Sequence, residues 1–222
     1  MAIQEYKTYS NSASSESVNK VIRNTFTLLG MTLVFSALTA FISASMGFGR
    51  MNIFMFLIGA YGLMYLTHKT KNSIWGLVSV FAFTGFMGLT IGPVVSMYLS
   101  LPNGGQVVTS ALASTAVIFL ALSGYALTTK KDFSFLSGFL FAGFLILVGA
   151  MIAGIFFDIP GLSLMISAGF ALFASAAILF ETSQLVNGGE RNYIIATIGL
   201  YVSIYNLFMS LLHLIGAISG DD

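Results

Sequence analysis

The chain has 222 residues, of which 57% are hydrophobic and only 8% charged. Soluble domains carry roughly 25% charged residues, so this composition excludes a soluble fold and describes a polytopic membrane protein. A net charge of +1 offers no basic surface for nucleic acid, and the absence of Cys removes disulfides and thiolate metal sites.

Residues 2–17 are Ser-rich and poor in bulky apolar side chains, a composition that cannot offset its ordering entropy. The sequence therefore predicts a flexible cytoplasmic tail over residues 1–24. The first apolar run is too long and starts too late for a signal-peptide core. About 30 Å of hydrocarbon needs roughly 20 helical residues. Runs of that kind predict an all-α protein with seven transmembrane helices at 25–46, 52–67, 74–99, 107–128, 133–157, 162–186 and 193–218. Together they make a transmembrane domain over 25–218, followed by an outer C-terminal tail at 219–222.

The positive charges orient these spans. Lys7, Lys20 and Arg23 precede the first, Lys69 and Lys71 follow the second, Lys130 and Lys131 follow the fourth, and Arg191 follows the sixth. Only Arg50 falls on the other side. Cytoplasmic loops carry the excess of Lys and Arg, so the N-terminus is expected inside and the C-terminus outside.

Lipid gives helices no hydrophobic reason to associate, so they dock through small residues and interhelical hydrogen bonds. Gly85, Gly88 and Gly92 share one face of the third span, and Pro93 behind them is expected to kink it. Gly59 and Gly62 in the second span, and Gly143, Gly149 and Gly154 in the fifth, allow similar close approach. On the seventh span Ala196, Gly199, Ser203, Asn206, Ser210 and His213 fall within an arc of about 100°. Polar groups facing lipid would be left unpaired, so this stripe must face other helices and puts the seventh span near the centre. It serves either interhelical hydrogen bonding or the lining of a path for water or ions.

Glu181 stands more than a turn inside the end of the sixth span, since Leu185 and Val186 extend the apolar pattern beyond it. An ionisable group at that depth is a functional-site candidate. The bland alternative is a carboxylate solvated by headgroups or capping the next loop. Lys130, Lys131 and Arg191 are candidate partners for it. His213 reads as an interfacial hydrogen-bonding residue, Asp132 as the N-cap of the fifth span, and Asp158 as a turn residue. No HExxH or GxSxG motif, Walker A loop or nucleotide-binding glycine fingerprint is present. Span seven holds no Lys for a retinal Schiff base. No enzyme activity, cofactor or metal site is expected.

The stretches Val21–Phe26, Gly59–Thr67, Phe81–Phe86 with Ile91–Pro93, Tyr125–Leu136, and Ile178–Ser183 with Leu200–Phe208 carry a likeness. Through them the chain resembles the Bax inhibitor (TMBIM) family, in its bacterial inner-membrane branch, from about residue 20 to the end. The resemblance implies six helices around a central seventh, and a cell inner membrane location with the C-terminus periplasmic. It also implies two activities. One is binding and restraining the membrane-anchored AAA protease FtsH. The other is a pH-sensitive calcium leak, latched by two acidic residues that share a proton. Glu181 matches the first acidic position, but Ser203 stands at the second, next to Asn206 on the stripe. A Glu–Ser pair has no coupled titration, so the latch is expected to be weakened and protease modulation favoured.

Overall fold

The computed structural model describes residues 17–219. The described chain is all-helical, with α1 (Ala2–Ser45, described from Ser17), α2 (Ile53–Thr70), α3 (Ile74–Leu99), α4 (Gly104–Thr129), α5 (Leu136–Phe156), α6 (Leu162–Val186) and α7 (Tyr193–Ser219). Six of the seven are long and apolar enough to cross a membrane; α2 falls short. It has 18 residues, about 27 Å at 1.5 Å per residue, and it carries His68 and Lys69 inside the helix, where the sequence had suggested a boundary. Residues 17–24 of the expected tail already belong to α1, and residues 1–16 lie outside the described residues. So does the expected outer tail beyond Ser219.

The seventh helix is the axis of the bundle. It packs against α1, α2, α3, α4 and α6, whereas α5 packs against α6 alone. Of the most apolar stretch of α7, 56% is buried, against 6% in α5. The ring of six expected around the seventh is thus a ring of five, with α5 outside it. The core forms where Leu200, Tyr201, Ile204 and Leu207 of α7 meet Leu28 and Leu29 of α1, Val80 and Phe83 of α3, and Ile178 of α6. The buried Tyr201 hydroxyl lies 2.6 Å from Ser36 Oγ and 3.3 Å from the Thr84 carbonyl. It therefore ties α7 to α1 and α3 with no polar group left open to lipid.

The α1–α3 contact depends on glycine. A Cβ at Gly85 would lie 2.7 Å from the Phe35 ring, and one at Gly92 would lie 2.6 Å from the Ala40 carbonyl oxygen. At Gly88 it would meet the Ser36 carbonyl and the Thr39 hydroxyl. α3 runs through Pro93 without ending. Proline has no N–H, so the carbonyl of Leu89 four residues earlier loses its helical donor. Ser43 Oγ of α1 fills that gap, donating to the Leu89 oxygen at 2.8 Å.

Hydrogen bonds gather the loops into two ends. At one end Asn192 caps α7, accepting from Ile194 N and Ile195 N, while its amide donates to the Lys71 carbonyl and to Asn72 Oδ1. At the same end the Lys131 carbonyl accepts from Ser183 Oγ and from the Asn187 amide. Lys71, Lys131 and Arg191 are therefore gathered together. At the other end Asn103 Nδ2 donates to the Ser219 carbonyl at 2.8 Å, and Arg50 reaches Met97. α2 runs between these two ends.

Asp132 is not the N-cap of α5. Its carboxylate accepts from the Ser134 backbone N–H at 2.8 Å and from the Ser134 hydroxyl, and Phe135 occupies the cap position. Those two bonds hold the carboxyl below its ordinary range.

Replacing Gly88 by Ala forces a methyl group against the Ser36 backbone and should destabilise the bundle by about 1–3 kcal/mol, the usual cost of overpacking. Thermal unfolding in detergent checks it. Gly62→Ala, where a Cβ has nothing within 4 Å, is the matched control and should not lower the midpoint, since Ala is the better helix former.

Candidate functional site

The polar run Glu181–Gln184 closes α6, and each residue is given to a different neighbour. Glu181 goes to α7, where Ser203 Oγ donates to its Oε2 at 2.9 Å. Thr182 meets Ser123 of α4 at 3.3 Å. Ser183 Oγ donates to the Lys131 carbonyl and accepts from Phe133 N–H, each at 3.0 Å. Gln184 Nε2 donates to Ser134 Oγ at 3.1 Å. The end of α6 is thereby laced to α4, to α7 and to the α4–α5 loop.

Gly199 lies one helical turn before Ser203, so both sit on the same face of α7. A Cβ there would fall 2.8 Å from Glu181 Oε1. Absence of a side chain at 199 is what lets the carboxylate lie on α7 within reach of the Ser203 hydroxyl. The site opens on a recess of about 190 Å³ lined by Met64 and His68 of α2, Glu181, and Ile195, Ile198, Gly199 and Val202 of α7.

The rest of the stripe does not converge on Glu181. Asn206 lies three residues beyond Ser203, and among the described residues its amide makes no hydrogen bond. Ser210 is buried further along α7. His213 is at the far end, its Nδ1 3.1 Å from the Tyr98 hydroxyl. The cations offered by the sequence do not reach the carboxylate either. Arg191 Nε donates to the Gly188 carbonyl at 3.3 Å, and Lys131 contributes its backbone oxygen to Ser183. Gly85, Gly88, Gly92 and Pro93 sit on α3 against α1, away from the recess.

His68 and Met64 had been missed. They are four residues apart on one face of α2, but nothing in the sequence indicates which face of a helix that short turns toward α6 and α7. Among the described residues no group of three or more His, Asp or Glu could hold a metal ion.

The family described as inhibitor of apoptosis-promoting Bax1 matches residues 18–220. The chain belongs to the Bax inhibitor family. It is 58% identical to an uncharacterized protein of Pseudomonas aeruginosa over the full length of both chains. It is 50% identical to the modulator of FtsH protease YccA of Escherichia coli over 205 residues, covering 92% of this chain and 93% of YccA. It is also 44% identical to a membrane protein of Vibrio cholerae over 92% of both. The YccA-like, bacterial branch expected from the sequence is the one these Bax inhibitor relatives occupy.

Ser203→Ala removes the donor to Glu181 and should cost about 1–3 kcal/mol, the range for a hydrogen bond to a polar or charged partner left open. A double-mutant cycle with Glu181→Gln, read by thermal unfolding, should give a coupling energy of about 1 kcal/mol. A coupling indistinguishable from zero would mean that the hydroxyl and the carboxylate do not act on one another.

Proposed function

We propose that this chain is an integral protein of the bacterial inner membrane that binds and restrains the membrane-anchored AAA protease FtsH. The observation that carries this reading is the 50% identity, over nearly all of both chains, to a protein that is itself a modulator of FtsH protease. One feature of the fold supports it. The loops at the Asn192 end are tied together by hydrogen bonds, which gives a partner one continuous surface.

In the proposed topology α2 is a seventh, short span, the N-terminus is cytoplasmic and the C-terminus periplasmic. Passage of α2 from the Arg50 end to the Lys71 end supports the seventh span. Gathering of Lys71, Lys131 and Arg191 at one end supports the orientation through the positive-inside rule. The proposed partners are the lipid bilayer and FtsH.

A second reading has one specific observation in its favour. Glu181 and Ser203 face each other at 2.9 Å, in the positions where the family resemblance implies an acidic pair that latches a calcium leak. A serine cannot ionise, so no second negative charge can repel Glu181 and spring the pair apart. On this reading any calcium conduction through the present chain is weak, and it is not switched by pH.

Affinity-tagged chain, solubilised in mild detergent, should retain FtsH, and a chain lacking residues 2–16 should retain less. No FtsH with the full chain, together with unchanged turnover of FtsH substrates in cells that overproduce it, would overturn the protease reading. For the second reading, calcium flux into proteoliposomes should be low for the wild type and the same at every pH, and flux no higher than in empty liposomes would reject it. Ser203→Asp restores a carboxylate pair that shares a proton at low pH and repels once the proton is lost. Its flux should therefore rise as pH rises, and substantial wild-type flux would contradict the weakened latch.

A further inference from the structure

Two recesses meet at His68. The first is the recess of about 190 Å³ over Glu181. The second is wider, about 490 Å³, and is lined by Tyr61, Met64, Tyr65, His68 and Lys69 along the outer face of α2. Met64 and His68 belong to both walls, so the imidazole stands at the junction between the exposed side of α2 and the chamber above the carboxylate.

The chamber has few chemical options. Its remaining walls, Ile195, Ile198, Val202 and Met64, can neither give nor accept a proton. Ser203 engages Oε2, while Oε1 lies over Gly199 with no hydrogen-bonding partner among the described residues. At roughly 30 Å³ per water molecule the chamber is wide enough for about six.

The titratable groups on the surrounding helices are turned elsewhere. On α7, Tyr201 bonds to Ser36 and Thr84, and Tyr205 lies 3.4 Å from Thr90, so both face α1 and α3. α6 has no ionisable residue other than Glu181, and α5 has none. Tyr125 of α4, Lys130 beyond its end, Tyr193 of α7, and Lys20 and Arg23 of α1 do not line the recess. Tyr61, Tyr65 and Lys69 of α2 line only the outer recess.

We propose that His68 is the proton-exchanging residue of Glu181, passing protons between the exposed face of α2 and the buried carboxylate. An imidazole ring can both give and take a proton, which is why it serves as a shuttle. In the inward step an imidazolium N–H gives its proton to water in the chamber, which gives one of its own to Glu181 Oε1. The His68 ring is left neutral and the carboxyl neutral. The outward step is the reverse, and no other bond forms or breaks. Ser203 holds Oε2 throughout.

The test is the rate at which Glu181 follows a pH jump, read by time-resolved infrared spectroscopy of the full chain in lipid nanodiscs. The carboxyl band is assigned by its loss in Glu181→Gln. His68→Gln should slow the response by roughly 100-fold, the low end of what a positioned proton donor contributes. Imidazole added to the buffer should restore the rate, since it supplies the missing group without altering the fold. An unchanged rate in His68→Gln would overturn the proposal. So would a slowed rate that imidazole does not restore, which marks a structural effect, or the absence of any titrating band that Glu181→Gln removes.

Discussion

Hydrocarbon offers no partner to a polar group, and this constraint organises the whole bundle. A polar side chain carried into the membrane is stabilised by finding another one there or by reaching an end of the bundle. α7 carries a stripe of them along one face and lies at the axis. Its Tyr201 hydroxyl is held between Ser36 and Thr84, its Ser203 faces Glu181, and its His213 meets Tyr98. The same demand explains Ser43, whose hydroxyl serves the carbonyl that Pro93 leaves open. Glycine does the complementary work on α3, letting α1 come close enough for such short side chains to reach across.

Within that frame Glu181 faces two residues of α7 directly and one of α2 across the recess. Ser203 engages one carboxylate oxygen, Gly199 leaves room for the other, and His68 stands across the recess. With Ser203 opposite it, Glu181 makes a single hydrogen bond and not the shared proton of two like charges. A shared proton makes a switch, because its loss leaves two charges repelling. A hydroxyl donor makes a brace, because it accommodates the carboxyl in either protonation state. That difference is the physical reason for favouring a protein-binding role over an ion pathway.

Much of this was legible in the sequence, since bilayer constraints act on the same few variables that sequence displays. Long apolar runs marked the helices, and the small and polar stripe from Ala196 to His213 marked α7 as central. The spacing of Gly85, Gly88 and Gly92 marked the face that meets α1. The family resemblance set Ser203 opposite Glu181, and the two are hydrogen-bonded. What was not readable depends on rotation and packing. α5 is the most apolar of the candidate spans, which suits a helix facing lipid on most sides, but its composition does not say which neighbour it keeps. Asp132 has the chemistry of a helix cap, yet the turn at Phe133–Ser134 takes its carboxylate first. The predicted second span stops at residue 67, just before the polar pair His68 and Lys69. α2 continues through it, and only the direction in which that helix faces brings His68 to Glu181.

The most direct test of the proposed role is degradation in a purified system. FtsH and this protein are reconstituted together in liposomes at increasing ratios, and the degradation rate of a membrane substrate of FtsH is followed. A modulator that binds and restrains the protease predicts a rate that falls progressively and saturates once the protease is fully bound. A rate that stays constant across all ratios, with both proteins verified in the same vesicles, would contradict it.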